Sequence, residues 1–83
     1  MWWFYVLRCA DDSLYAGITT DVVRRVAEHN GRGRRGAKYT RSRRPVVLLR
    51  TWACPDRSSA SKLEARFKRL SRSEKLHFIA NYE

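Results

Sequence analysis

Tyr5 and Tyr15 stand ten residues apart, Arg25 follows ten residues after the second, and His29 four after that. Glu64 comes much later as a lone carboxylate. On a chain of 83 residues with a formal net charge of +10, this set suits the cutting of a phosphodiester. That reaction needs a hydroxide-like nucleophile, neutralisation of charge on the phosphoryl oxygens, and stabilisation of the leaving oxygen. Arginine suits the second task, because its fork holds two phosphate oxygens and never deprotonates. A carboxylate holding a hydrated Mg²⁺ or Mn²⁺ suits the third, since hard ions keep several waters and need few protein ligands. Tyrosine is the awkward member. Its ordinary pKa of about 10 puts the phenolate about 4 kcal/mol out of reach at neutral pH. A tyrosine base needs positive charge beside it, from Arg25 or a metal; otherwise it only positions the water.

Each residue also has an ordinary structural reading. The tyrosines are common strand residues, and Arg25 alone is a solvated helix charge. His29 near a helix end can interact with the dipole. Glu64 can pair with Lys68 at i,i+4, or close a capping box begun by Ser61. The arrangement favours a site, because Arg25, His29 and Glu64 all fall at edges of apolar helix stripes, which open onto clefts.

The elements that must position these groups follow from local pattern. Residues 2–9 are aromatic and β-branched, and 14–19 form a second apolar run across a turn cluster at 10–13, so a β-hairpin is expected. Gly17 inside a strand marks a bulge or a close approach to the backbone. A two-residue loop at Asp11-Asp12 would put Tyr5 and Tyr15 on opposite faces, so a shared site requires an odd-length loop or a bulge. Both rings are expected on one face.

Thr20 or Asp21 caps a helix to about Asn30, with Gly31 as its stop. Its stripe is Val22, Val23, Val26 and Ala27, with Arg25 and His29 on one edge and Arg24 and Glu28 on the solvent side. Residues 31–44 hold seven Arg or Lys, three Gly and no acid, which reads as a flexible basic loop and not a core element. Arg32, Arg34, Arg35, Lys38, Tyr39, Arg41, Arg43 and Arg44 are its candidate nucleic-acid contacts. Residues 46–53 read as a third strand, expected to be the best buried. A helix from 56–59 to about Leu70 carries Ala60, Leu63, Phe67 and Leu70 inward with Glu64 beside them. A short last helix carries Leu76, Phe78 and Ile79. The order β-β-α-β-α-α implies an α+β fold: a small three-stranded antiparallel sheet flanked by helices, in a single domain.

Composition agrees with a globular nucleic-acid partner and not a disordered tail: hydrophobic residues are 43%, and 18 Lys+Arg face 8 Asp+Glu. Cys9 and Cys54 have no metal spacing and read as small core residues of a reducing compartment. The first ten residues have no basic n-region and too short an apolar run for a signal or a span, so a cytoplasmic protein without membrane contact is expected.

The ordered set resembles the GIY-YIG nuclease superfamily. Phe4-Tyr5-Val6 matches the first family triplet loosely and Tyr15-Ala16-Gly17 the second. Arg25, His29 and Glu64 (in Leu63-Glu64-Ala65-Arg66-Phe67) fall at the family's helix arginine, histidine and metal-binding glutamate. The likeness is to the small bacterial members and to the catalytic domain of endonucleases that cut branched DNA. It implies metal-dependent cleavage with Mg²⁺ or Mn²⁺ on Glu64. It also implies Arg25 on the scissile phosphate, and Tyr15 or Tyr5 helping to activate water. Lys38 and Tyr39 fall where the family keeps polar or aromatic site residues. Phe4 replaces the first triplet's glycine. The recognition modules of larger members find no counterpart in these 83 residues. Cutting directed by DNA structure, or specificity lent by a protein partner, is therefore expected. A non-catalytic DNA or RNA binder is the alternative.

Overall fold

A computed structural model describes residues 1–31 and 35–82. Arg32 and Arg34 lie outside the described residues. The strands are β1 (Trp2–Arg8), β2 (Leu14–Thr19) and β3 (Val47–Cys54). The helices are α1 (Val22–Asn30), α2 (Lys38–Arg41), α3 (Arg57–Lys68) and α4 (Arg72–Asn81). The strands form one antiparallel sheet in the order β2-β1-β3, so the α+β architecture read from the sequence is the observed one.

β1 is central and carries the best-buried run, with Phe4, Tyr5, Val6 and Leu7 at 1% exposure or less. The third strand is not the best buried. It is an edge strand whose Val47 and Leu48 are exposed. Apolar content marks a strand for burial but does not say which neighbour covers it.

Side-chain alternation along β1 builds two cores. Phe4 and Val6 join Trp52, Cys54, Ala60, Phe67 and Phe78 beneath α3 and α4. Phe4 stacks on Trp52 at 5.1 Å and meets Phe67 edge-on at 5.5 Å. Burying one such ring stabilises the fold by roughly 1.5–3 kcal/mol. On the other face Tyr5, Leu7 and Cys9 join Val46, with Tyr15 and Val26 against them. The two free cysteines therefore lie in different cores.

The hairpin loop settles which face Tyr15 takes. Arg8 pairs with Leu14 and Tyr5 with Gly17, so five residues separate the paired ends. Asp12 N–H donates to the Cys9 carbonyl, Cys9 N–H to the Ser13 carbonyl, and Asp12 has φ 68°. Asp12 is the one left-handed residue of the loop. The odd loop, without a bulge at Gly17, puts Tyr5 and Tyr15 on one face.

Asp21 caps α1, its side chain accepting from the Arg24 N–H. The helix is turned from its apolar stripe: Val23 is 83% exposed, Ala27 is exposed, and the buried residue is His29. The sheet face beneath offers a phenol, and the imidazole can pair with it where a valine cannot. Glu28 also leaves the solvent side and pairs with Arg25.

The basic segment is not wholly a loop. Residues 38–41 form a helical turn whose Thr40 is fully buried. A Cβ on Gly36 would meet the Glu28 carbonyl at 2.9 Å and His29 Cα at 3.1 Å, so glycine there allows the chain to lie against the end of α1. Asn30 fastens the same end to Val46, just before β3, accepting from the Val46 N–H at 2.7 Å and donating to its carbonyl at 3.1 Å. No helix of the described residues is long and apolar enough to cross a membrane.

Candidate active site

Tyr5 lies at the middle of the central strand, 1% exposed, and its hydroxyl stands 2.8 Å from His29 Nε2. Across the hairpin is Gly17, where an added Cβ would fall 2.5 Å from the Tyr5 oxygen. Gly17 is thus the close-approach glycine that the sequence left open, and the approaching group is the phenol. His29, also 1% exposed, sits between Tyr5 and Thr40, with Nδ1 2.8 Å from the Thr40 hydroxyl.

Tyr15 meets the His29 ring edge-on at 5.2 Å and stacks on Tyr39 at 5.8 Å. The Arg43 guanidinium lies over the Tyr39 ring at 3.9 Å, held by Asp11 Oδ2 at 2.9 Å and by the Tyr39 carbonyl. Arg25 donates through Nη1 to Glu28 Oε1 at 3.0 Å and to the Arg35 carbonyl. Its guanidinium also bonds the Tyr5 phenol; the Glu28 and Arg35 bonds both use Nη1, so among the described residues some of its five hydrogens remain for an anion. The two neighbouring arginines differ as their wheel positions imply: the Arg24 side chain is 61% exposed and that of Arg25 25%.

Glu64 comes from α3, across the sheet from α1. One flank of α3, with Ser59, Lys62, Leu63 and Arg66, lines a cavity of about 420 Å³ against Trp52 and Cys54 of β3. Glu64 and Lys68 lie on the opposite flank of α3. Glu64 makes an ion pair with Lys68 at 3.2 Å and no hydrogen bond to the other four groups among the described residues. It is not part of a Ser61 capping box, since Asp56 caps α3.

Electrostatics join all five. Burial pushes the Tyr5 phenol up to about 12; Arg25 pulls against this, while Tyr15 and Glu64 add to the rise. Burial, then the Arg25 charge, hold His29 down to about 4, so the imidazole is neutral at pH 7. Burial works against the Arg25 cation, but Glu28 and Tyr5 more than offset it and hold its pKa above the ordinary value. With Tyr5 near 12, the phenolate lies about 7 kcal/mol away at pH 7.

Cavities of about 580 and 360 Å³ lie elsewhere, between α3 and α4 and beside Trp3 and Leu48. Tyr15, Arg25 and Glu64 are partly exposed and form the rim. Among the described residues no cluster of three or more His, Cys, Asp or Glu side chains is placed to cage a metal. A lone carboxylate fits a hard ion that keeps its waters and takes further oxygens from substrate, and it does not fit zinc.

Of the basic residues, Arg35, Lys38 and Arg41 are exposed. Arg43 and Arg44 bond within the protein, Arg44 donating to the Arg41 and Gly31 carbonyls. Glu28 and Thr40 join the site without having been legible in the sequence. Glu28 comes in because α1 is rotated from its apolar stripe, and Thr40 because Gly36 lets its segment lie against the end of α1, and no periodicity encodes either.

Residues 1–77 match the GIY-YIG catalytic domain. The chain belongs to the GIY-YIG family, a family of nucleases. It is 53% identical over 74 residues to a UPF0213 protein of Desulfotalea psychrophila, covering 89% of this chain and 66% of that one. It is 48% identical over 82 residues to a UPF0213 protein of Cupriavidus pinatubonensis, covering 99% and 89%. The solution NMR structure of the UPF0213 protein BH0048 from Bacillus halodurans superposes with a TM-score of 0.62 at 43% identity, covering 96% of this chain and 84% of that one. The GIY-YIG match and the likeness to UPF0213 structures extend over the sheet and the helices that carry all five candidate groups.

Proposed function

We propose that this GIY-YIG chain is a divalent-metal-dependent endonuclease that cuts DNA, directed by the structure of its substrate rather than by base sequence. The observation that carries this reading is the convergence on one oxygen. His29 touches the Tyr5 hydroxyl, Arg25 bonds it, and the charge of Glu64 acts on it.

On this reading the remaining Arg25 hydrogens receive the scissile phosphate, and Tyr15 at the rim orients the attacking water. Tyr5 passes the water's proton toward His29. Glu64 would hold Mg²⁺ or Mn²⁺, which supplies positive charge at the leaving oxygen. A resting phenolate is not part of the scheme, because the pKa of Tyr5 forbids it. The proton moves as the water attacks, while neutral His29 stands ready to take it. Arg35, Lys38 and Arg41 follow the backbone.

One observation favours a non-catalytic nucleic-acid binder, namely the near-complete burial of Tyr5. A single panel separates the two readings: single-stranded, duplex, flap and branched DNA, and RNA, each with Mg²⁺, Mn²⁺ or chelator. Products that need metal and concentrate on branched or flapped DNA are expected. Retarded but uncut bands throughout would establish the binder.

A further inference from the structure

Thr40 has no part in the reading above, yet it is fully buried and closes a chain of hydrogen bonds that starts at Tyr5. Its hydroxyl stands 3.0 Å from the Ala37 carbonyl and 2.8 Å from His29 Nδ1. A hydroxyl has one hydrogen, and a carbonyl oxygen only accepts. For both contacts to be hydrogen bonds at once, the Thr40 hydrogen must go to the Ala37 carbonyl, which also accepts from the backbone N–H groups of Thr40 and Arg41. The Thr40 oxygen is left to accept, and the group facing it must be Nδ1–H. A neutral imidazole with its proton on Nδ1 has a bare Nε2. Nε2 lies 2.8 Å from the Tyr5 hydroxyl, so Tyr5 donates to it. Donation runs one way, from Tyr5 to His29 to Thr40 to a backbone carbonyl. The carbonyl is fixed in turn, because Gly36 lets this segment lie against His29 with no Cβ between them.

We infer that Thr40 is a positioning residue: its hydroxyl, committed to the Ala37 carbonyl, holds His29 in the tautomer whose Nε2 receives the Tyr5 proton. The inference rests on the nuclease reading above. In the step, the water oxygen bonds to phosphorus as one of its O–H bonds breaks, and that proton goes to the Tyr5 oxygen. The original Tyr5 O–H breaks, its electron pair stays on the oxygen, and the proton forms an N–H at Nε2. The bond from phosphorus to the leaving oxygen breaks with its electron pair on that oxygen. The opposite tautomer would set an N–H against the phenol and block the transfer. The scheme needs an uncharged imidazole, and burial keeps His29 uncharged near neutrality.

The test uses the whole chain labelled with ¹⁵N, with wild type, Thr40→Ser and Thr40→Val compared at pH 7. Imidazole ¹⁵N shifts distinguish a protonated ring nitrogen from a bare one. Wild type and Thr40→Ser should both show protonated Nδ1 and bare Nε2, and Thr40→Val should lose that preference. In cleavage, Thr40→Val should lower kcat about a hundredfold with KM nearly unchanged, and Thr40→Ser should restore most of it. A protonated Nε2 in the wild type overturns the inference, as does a Thr40→Val protein with unaltered ring shifts and kcat. If Thr40→Val does not fold, the wild-type ring shifts decide the tautomer, and a Thr40→Ser protein that loses kcat overturns the assignment. A wild type that cuts nothing removes the nuclease reading and the catalytic half of the inference, whereas the ring shifts decide the tautomer half by themselves.

Discussion

Gly17 faces Tyr5 across the β1–β2 pair, and the phenol oxygen occupies the space where any larger residue at 17 would place its Cβ, 2.5 Å away. The ring cannot simply swing aside, because its hydroxyl is tied to His29 and both are buried. Gly17→Ala should therefore cost about 1–3 kcal/mol through overpacking and separate Tyr5 from His29. A urea midpoint measures the first effect, and NMR of the Tyr5 and His29 rings measures the second. A protein as stable as wild type, with Tyr5 still on His29, would show that the strands absorb the methyl group.

Tyr5→Phe keeps the ring and removes the oxygen on which the other groups converge. Cleavage should fall at least a hundredfold, while stability changes by only about 1 kcal/mol, since one buried nitrogen loses its partner. Thermal melts beside the cleavage assay separate the two outcomes. Full activity in this variant would take Tyr5 out of the chemistry and leave Tyr15 as the base.

Glu64→Gln removes the charge proposed to hold the ion. The pair it breaks, with Lys68, is largely solvated and is worth about 0.3–0.5 kcal/mol. The fold should survive and metal-dependent cutting should vanish, with chelator and variant giving the same blank result. Cutting that persists and still depends on metal would move the ion to other ligands.

His29 makes stability fall in mild acid. Its folded pKa is about 4 against an ordinary 6.5, so between those values the unfolded chain binds the extra proton. Stability present above pH 6.5 is lost as pH falls toward 4, by up to about 3 kcal/mol. Urea unfolding at pH 7, 6, 5 and 4.5 should show the decline in wild type and a flatter line in His29→Gln. Parallel lines would place the acid sensitivity in other groups.

Arg35 and Lys38 are exposed beside the site, whereas Arg43 is engaged by Asp11 and Tyr39. Neutralising Arg35 and Lys38 together should flatten the slope of log K against log salt by roughly 0.9 for each phosphate left without its cation. Arg43→Ala should lower stability, because its bonds to Asp11 and Tyr39 disappear. Fluorescence anisotropy at several salt concentrations checks the first, and melts check the second. An unchanged slope would mean that other side chains hold the DNA backbone.

What the sequence made legible was local. The hairpin, α1, α3 and the short last helix each carry their own caps and periodicity, and the hairpin parity could be argued before any coordinates. Three things were not local. β1 rather than β3 is central, because a flanking strand and a covered one both read as apolar. α1 is rotated so that His29 faces inward, because the surface under it is a phenol. The buried turn at Thr40 lies within a run of arginines too short to show a period. At the site, Tyr5, Tyr15, Arg25 and His29 share one face, while Glu64 approaches from the opposite layer, an arrangement that helix wheels alone do not specify.

The five-residue connection between β1 and β2 has a heritable consequence. Its length is counted in twos. Removing or adding one residue would turn Tyr15 and Gly17 to the other side of the sheet, exchanging their places with Leu14 and Ala16. Chains that diverge from this one by insertion or deletion at that corner should differ by an even number of residues, and a single-codon change there should be purged from any population that needs the site.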